Sequence, residues 1–216
     1  MNAVELLKEQ HREVNALFRR FEKARRTDDK EEIFLEIAAR LVGHDAIERE
    51  IFYPACEDVF GEDEALMEGI AEHGLIEFSI FRADKARGEP TFEYLVTVLK
   101  EMVEHHVDEE EEEVLPKMAR KADAATLERL GKAMLKRFED AMAKDFRRPL
   151  REDLQQVLAG RTRTTPPKRT ARSTTRERTA SAGARSKAGA RSKAGARSGR
   201  ATGGRRKQGA RRASAS

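Results

Sequence analysis

Apolar positions up to Gly160 recur at alternating intervals of three and four, the pattern of helices that bury one stripe, and strand-like alternation is nearly absent. Val4, Leu7, His11, Val14, Phe18 and Phe21 form the first stripe, and Thr27-Asp28-Asp29 then predicts a turn and a helix cap. The second stripe is Ile33, Ile37, Leu41, His44, Glu48 and Ile51, with Pro54 expected to end its helix. An acidic linker containing Gly61 follows. The third carries Leu66, Ile70, His73, Glu77 and Ile80 and stops near Gly88-Glu89-Pro90. The fourth starts near Thr91 and presents Leu95, Val98 or Leu99, Met102, His106 and Glu110 before Pro116. A fifth amphipathic stretch, about Ala124 to Arg148, turns Leu127, Leu130, Met134, Phe138 and Met142 to a core; Pro149 breaks it, leaving Pro149 to Ala159 for one short helix. These lengths and short connections predict an all-α fold. Residues 1–120 would form an up-down-up-down four-helix bundle, residues 121–159 accessory helices on its outside, and residues 160–216 a tail.

The polar members of those stripes carry the chemistry. The chain has five histidines, all before residue 107, and His11, His44, His73 and His106 fall one per predicted helix. One imidazole on an apolar stripe reads as a hydrogen-bonded core residue; one on each of four helices points to a shared ligand. Glu48, Glu77 and Glu110 follow three of them at i+4, on the same helix face. Buried carboxylates without partners are costly, so three pointing inward call for a cation. Asp108 to Glu113 is a continuous acidic run, which makes a carboxylate after His106 unavoidable. The prolines at His+10 (Pro54 and Pro116) select His106 and Glu110 from that run, with His105 and Glu111 as the alternatives. Imidazole and carboxylate donors without thiolate suit iron or manganese, with zinc possible, and more than six donor atoms suggest two ions. The order His-x-x-x-Glu differs from the Glu-x-x-His of ferritin-like di-iron helices. Tyr53 is a candidate neighbour of the site or a packed helix-end aromatic, and Cys56, beyond Pro54, reads as a structural thiol.

At Gln-His11-Arg-Glu-Val, His44-x-x-x-Glu48 with Ile-Phe-Tyr-Pro54, Glu72-His73, and His105-His106 with its acid run and Pro116, the sequence resembles the hemerythrin-like, HHE cation-binding family over roughly Leu7 to Met118. The resemblance implies a non-haem di-iron site in a four-helix bundle that binds dioxygen or related small ligands. Carried over, it places His11 and His44 on one iron, His73 and His106 on the other, and Glu48 and Glu110 between them. The family's oxygen carriers have a further histidine where this chain has Glu77. That departure predicts a more anionic site and favours redox, peroxide or iron-handling roles over simple oxygen carriage; the chain is expected to bind or respond to oxygen, peroxide or nitric oxide, or to handle iron. A catalase- or peroxidase-like di-iron enzyme removing hydrogen peroxide is the alternative.

Charge divides the chain in two. Residues 161–216 hold 18 Lys and Arg and one acid, while residues 1–160 hold 25 bases and 38 acids. Large apolar side chains vanish from the tail, which predicts disorder, and Ala-Gly-Ala-Arg-Ser-Lys repeats from Ala182. The tail resembles the basic arms of linker-histone-like nucleoid proteins and predicts phosphate-backbone binding to nucleic acid, which gives a further reading, an architectural protein with a metal-stabilised bundle. The single cysteine excludes an intrachain disulfide, no run is apolar enough to span a membrane, and the N-terminus lacks a signal-peptide core. The chain is therefore expected in the cytoplasm, near the nucleoid if the tail holds DNA.

Overall fold

The computed structural model describes residues 1–159, and all regular structure among them is helical. The predicted tail lies outside the described residues. Helix α1 (Ala3–Lys23) opens with a capping box, in which Asn2 Oδ1 accepts from the Glu5 N–H and the Glu5 carboxylate accepts from the Asn2 N–H, both at 3.0 Å. Helix α2 (Thr27–Ile47) begins on Arg26 with no side-chain cap, so Thr27 is the first helical residue and not the cap the sequence suggested. Helix α4 (Glu64–Lys85) and helix α5 (Phe92–Glu109) complete the ring, in which α1 packs on α2, α2 on α4, α4 on α5 and α5 on α1.

Neither Pro54 nor Pro116 ends a helix. After α2 the backbone makes a π turn over Glu48–Phe52 and resumes as α3 (Tyr53–Phe60); after α5 it does the same over Glu110–Val114 and resumes as α6 (Leu115–Lys121). A proline inside a helix cannot donate to the carbonyl four residues back, and its ring collides with that carbonyl. The wider turn removes the conflict. The Tyr53 and Leu115 amides donate five residues back, to the carbonyls of Glu48 and Glu110, and each proline falls in the first turn of the resumed helix. The extra residue also rotates the following side chains inward. Phe52, Tyr53 and Cys56 are buried after the first π turn, and Val114, Leu115 and Met118 after the second.

Two apolar zones fill the bundle. One collects Phe18, Phe21, Phe34, Ile37, Ile80, Phe92, Val96, Leu99 and Val103 among others, with Phe34 and Phe92 meeting edge-on at 5.3 Å between ring centroids. The other collects Leu6, Leu7, Ile47, Phe52, Leu66, Leu115, Leu127 and Met134. Burying each phenylalanine removes enough surface to stabilise the fold by about 1.5–3 kcal/mol. In α5 the inward stripe is Val96, Leu99 and Val103, so Leu95 and Met102 are only half-buried and Val98 is exposed. Helix α7 (Ala124–Met142) packs on α1 and α2, where Phe138 lies 3.0 Å from a Cβ built at Gly43. Of its expected stripe, Leu127 and Met134 are buried and Met142 is 36% exposed. The chain then breaks at residues 143–146, ahead of Pro149, which lies in the first turn of α8 (Arg147–Leu158). No helix among the described residues is long and apolar enough to cross a membrane.

Candidate metal centre

Between the two apolar zones lies a polar layer. His11, His44, His73, His106, Glu48, Glu77 and Glu110 are all at most 6% exposed. Ligand atoms of His11, His44, Glu48 and Glu110 lie within 4.8 Å of one another, as do those of Glu48, His73 and His106. His11 and His44 form one imidazole pair, with ring centroids 5.0 Å apart, and His73 and His106 the other, 4.6 Å apart. Glu48 belongs to both. Its Oε1 is 3.1 Å from His44 Nε2 and its Oε2 is 3.0 Å from His73 Nε2. Glu110 Oε2 is 3.4 Å from His11 Nε2.

The outer ring nitrogens explain why the inner ones converge. His44 Nδ1 meets Gln10 Oε1 at 2.8 Å, His73 Nδ1 meets Asp45 Oδ1 at 2.6 Å, His106 Nδ1 meets Glu72 Oε2 at 2.8 Å, and His11 Nδ1 meets Glu111 Oε1 at 2.9 Å. Every partner is an acceptor, so each Nδ1 donates and each Nε2 is turned inward, unpartnered in His11, His44 and His106 and beside the Tyr53 hydroxyl in His73. Each supporting residue sits one position from a site residue in the chain: Gln10 by His11, Asp45 by His44, Glu72 by His73, Glu111 by Glu110. One residue along a helix is a rotation of about 100°, which aims the support at the adjacent helix. The supports therefore run in a closed circuit, α1 to α2 to α4 to α5 and back to α1. Sequence reasoning missed the roles of Gln10, Asp45 and Glu72; their adjacency to the histidines was the available signal. Gln10→Met should leave the fold intact and weaken cation affinity by about 10–100-fold, the usual cost of losing such a support, as read by chelator competition.

The inner atoms lack partners. Nε2 of His11, His44 and His106 and both oxygens of Glu48 and of Glu110 are buried without a hydrogen bond. So many orphaned acceptors in one place would be costly unless something positive joins them. Protons do part of this. Burial opposes charging His11 and His73, but the Glu110 carboxylate raises His11 to about 9, and Asp45 with Glu48 raises His73 to about 10. Burial works against ionisation of Glu48 as well, yet His44 and His73 hold it well below the usual carboxylate range. A donor set of four imidazoles and two carboxylates, with acceptors aimed at a common interior point, fits a metal cation.

Glu77 does not join this set. It is buried, but α4 has no π turn, and one regular turn beyond His73 its Oε1 accepts from Arg49 Nη2 at 2.6 Å. Arg49 also bonds Asp45 and lies 3.7 Å from Asp153 of α8, so one guanidinium serves three carboxylates. Burial and the charge of Asp45 push Glu77 up to about 8 although Arg49 pulls it down. The anionic surplus expected from Glu77 is thus reduced twice, by its raised hold on a proton and by Arg49, a residue the stripe pattern had left out. Tyr53 is buried, with its hydroxyl 2.9 Å from His73 Nε2, and burial followed by the Glu48 charge raises its phenol well above the ordinary value. Cys56 is buried and joins neither convergent group of buried ligands. His105 is at the surface and His106 inside, and Glu110 turns inward while Glu111 supports His11.

On one side of the layer is a cavity of about 20 Å3, lined by both imidazole pairs, Glu77 and aliphatic side chains such as Val14, Ile76 and Val103. It has room for one or two heavy atoms. The chain matches the family described as Hemerythrin HHE cation binding domain over residues 2–118. Among solved structures it is similar to a hemerythrin HHE cation binding domain-containing protein from Mycobacterium kansasii, at 25% identity and a TM-score of 0.58, covering 76% of this chain and 96% of that one. Comparison with curated proteins gave no match.

Proposed function

Starting from a chain that belongs to the hemerythrin HHE cation-binding family, we propose a non-haem di-iron protein that binds oxygen, peroxide or nitric oxide beside the buried histidine pairs. The observation that carries this reading is the set of orphaned Nε2 and carboxylate atoms aimed at one interior point. His11 and His44 would hold one iron and His73 and His106 the other, with Glu48 and Glu110 shared. Iron is favoured over zinc by the oxygen-rich set without thiolate. When bound, iron supplies an open coordination position and one-electron redox chemistry. The rest falls to the chain. The aliphatic cavity wall admits a small apolar or weakly polar molecule and excludes bulk water. Tyr53 places its hydroxyl 2.9 Å from His73 Nε2, beside the site, and Arg49 fixes Glu77 and Asp45 at the cavity's edge.

Full-length protein from iron-supplemented cells is expected to carry about two irons per chain with charge-transfer absorption, and His44→Ala to lose both features. Absence of iron, or one zinc per chain, would sink the reading. A peroxide-removing enzyme is the second reading, favoured by two proton-bearing side chains, Tyr53 and Glu77, at the site; catalysed loss of hydrogen peroxide by the iron-loaded chain separates it from a binding protein.

The same chain is proposed to hold nucleic acid through residues 161–216, supported by their 18 bases against one acid. That would place it in the cytoplasm near the nucleoid. Full-length protein should retard DNA in a gel at low salt and release it as salt rises, whereas a chain ending at Gly160 should not retard it. Equal retardation by both would remove the tail from the account.

A further inference from the structure

The histidine that the buried centre does not use stands over a second group of donors. His105 Nε2 lies 3.4 Å from Glu72 Oε1 and 3.4 Å from Glu109 Oε1, and ligand atoms of all three fall within 4.8 Å of one another. Glu72 faces both ways. Its other oxygen, Oε2, accepts from His106 Nδ1 at 2.8 Å. Beneath this group runs a narrow cleft of about 10 Å3 lined by Tyr53, Gly69, Glu72, His106, Glu109 and Glu110. Gly69 keeps it open, because a Cβ there would sit 3.4 Å from the Tyr53 hydroxyl and 3.6 Å from His106 Cε1. At its inner end are His106 and Glu110, each 3% exposed, with His106 Nε2 and both Glu110 oxygens unpartnered. Its outer side is Glu109, whose side chain is 39% exposed, with the 62% exposed His105 next to it.

A divalent cation reaching the buried centre must shed water through a passage that offers replacement ligands at each step. An aliphatic wall offers none, and beyond the site residues themselves the larger cavity is lined by aliphatic side chains such as Leu41, Val42 and Ile80. This cleft has an imidazole and two carboxylates outside and an imidazole and a carboxylate inside. We propose that Glu72, His105 and Glu109 form a weak surface site for a divalent cation such as ferrous iron, and that ions pass from it along the cleft to His106 and Glu110. The neighbouring acids Asp108 to Glu113 add a negative field around the mouth, and such fields raise local cation concentration.

This inference rests on the buried centre taking metal, and the test keeps the two apart. The probe is cobalt(II) added to the metal-free full-length chain and to its His105→Ala/Glu109→Gln variant, which leaves Glu72 and every buried ligand in place. Calorimetry counts sites, and stopped-flow absorbance follows filling of the buried ones. The expected result is one weak site fewer in the variant and filling slowed by about tenfold or more, at unchanged final occupancy of the buried centre. Filling at the wild-type rate, or an unchanged number of sites, would overturn the proposal while leaving the buried centre standing. A wild-type chain that takes no cobalt inside would remove both.

Discussion

Glu48→Ala is expected to abolish cation binding at both imidazole pairs, whereas His11→Ala should spare the pair formed by His73 and His106. The asymmetry follows from geometry. Glu48 sends one oxygen to each pair, 3.1 Å from His44 Nε2 and 3.0 Å from His73 Nε2, and it alone appears in both convergent groups of buried ligands. Losing a ligand costs more than losing a supporting hydrogen bond, which is worth about 10–100-fold. An affinity loss of at least about a thousandfold, roughly 4 kcal/mol, is therefore expected for each pair. Metal analysis after gel filtration reads it directly. Should Glu48→Ala keep as much metal as His11→Ala, Glu48 is not shared.

Stripping the metal should lower thermal stability steeply, and the gap should widen with pH. A cation held a thousandfold above its dissociation constant stabilises the folded chain by about 4 kcal/mol. For a domain of this size, with roughly 2–4 °C per kcal/mol, that is about 8–16 °C. The sign of the pH effect follows from His11 and His73, raised to about 9 and 10. A raised imidazole stabilises the metal-free fold fully below its unfolded value near 6.5, and that contribution is lost as pH climbs through the folded values. Metal needs these rings neutral, so binding releases about two protons and tightens by about a hundredfold per pH unit between roughly 7 and 9. Melting with and without ferrous iron, without oxygen, at pH 6.5 and 8.5 should show the metal-free form weakening and the loaded form changing much less. A gap that narrows with pH would mean the histidines are neutral before metal arrives.

The bundle was legible because its stripes are long and periodic, and the four inward histidines were legible because each sits in such a stripe. What escaped was set by other rules. Pro54 and Pro116 read locally as helix ends, yet the backbone keeps its direction by widening one turn. In α5 the acidic run and two adjacent apolar positions left the phase open, and packing chose Val96 and Val103 over Leu95 and Met102. Glu77 shares the i+4 spacing of Glu48 and Glu110, but without a π turn after it and with Arg49 opposite it goes to the guanidinium. That outcome depends on a residue from another helix, which periodicity within one helix cannot reveal. The same holds for the supports: adjacency to histidine marks Gln10, Asp45 and Glu72, but only helix packing says which imidazole each one meets.

Both π turns belong to a wider correspondence. His11 and His73, His44 and His106, Glu48 and Glu110, and Pro54 and Pro116 are each 62 residues apart, as are the supports Gln10 and Glu72. The two helical hairpins thus repeat one spacing of ligands, supports and prolines. The equivalence fails where it bears on chemistry. Tyr53 corresponds to Leu115, Arg49 to Glu111 and Asp45 to Val107. One half brings a phenol and a guanidinium toward the His73 and His106 pair, and the other brings an aliphatic chain and a carboxylate. A frame of matching spacing is thereby polarised, so the polar layer has a front and a back.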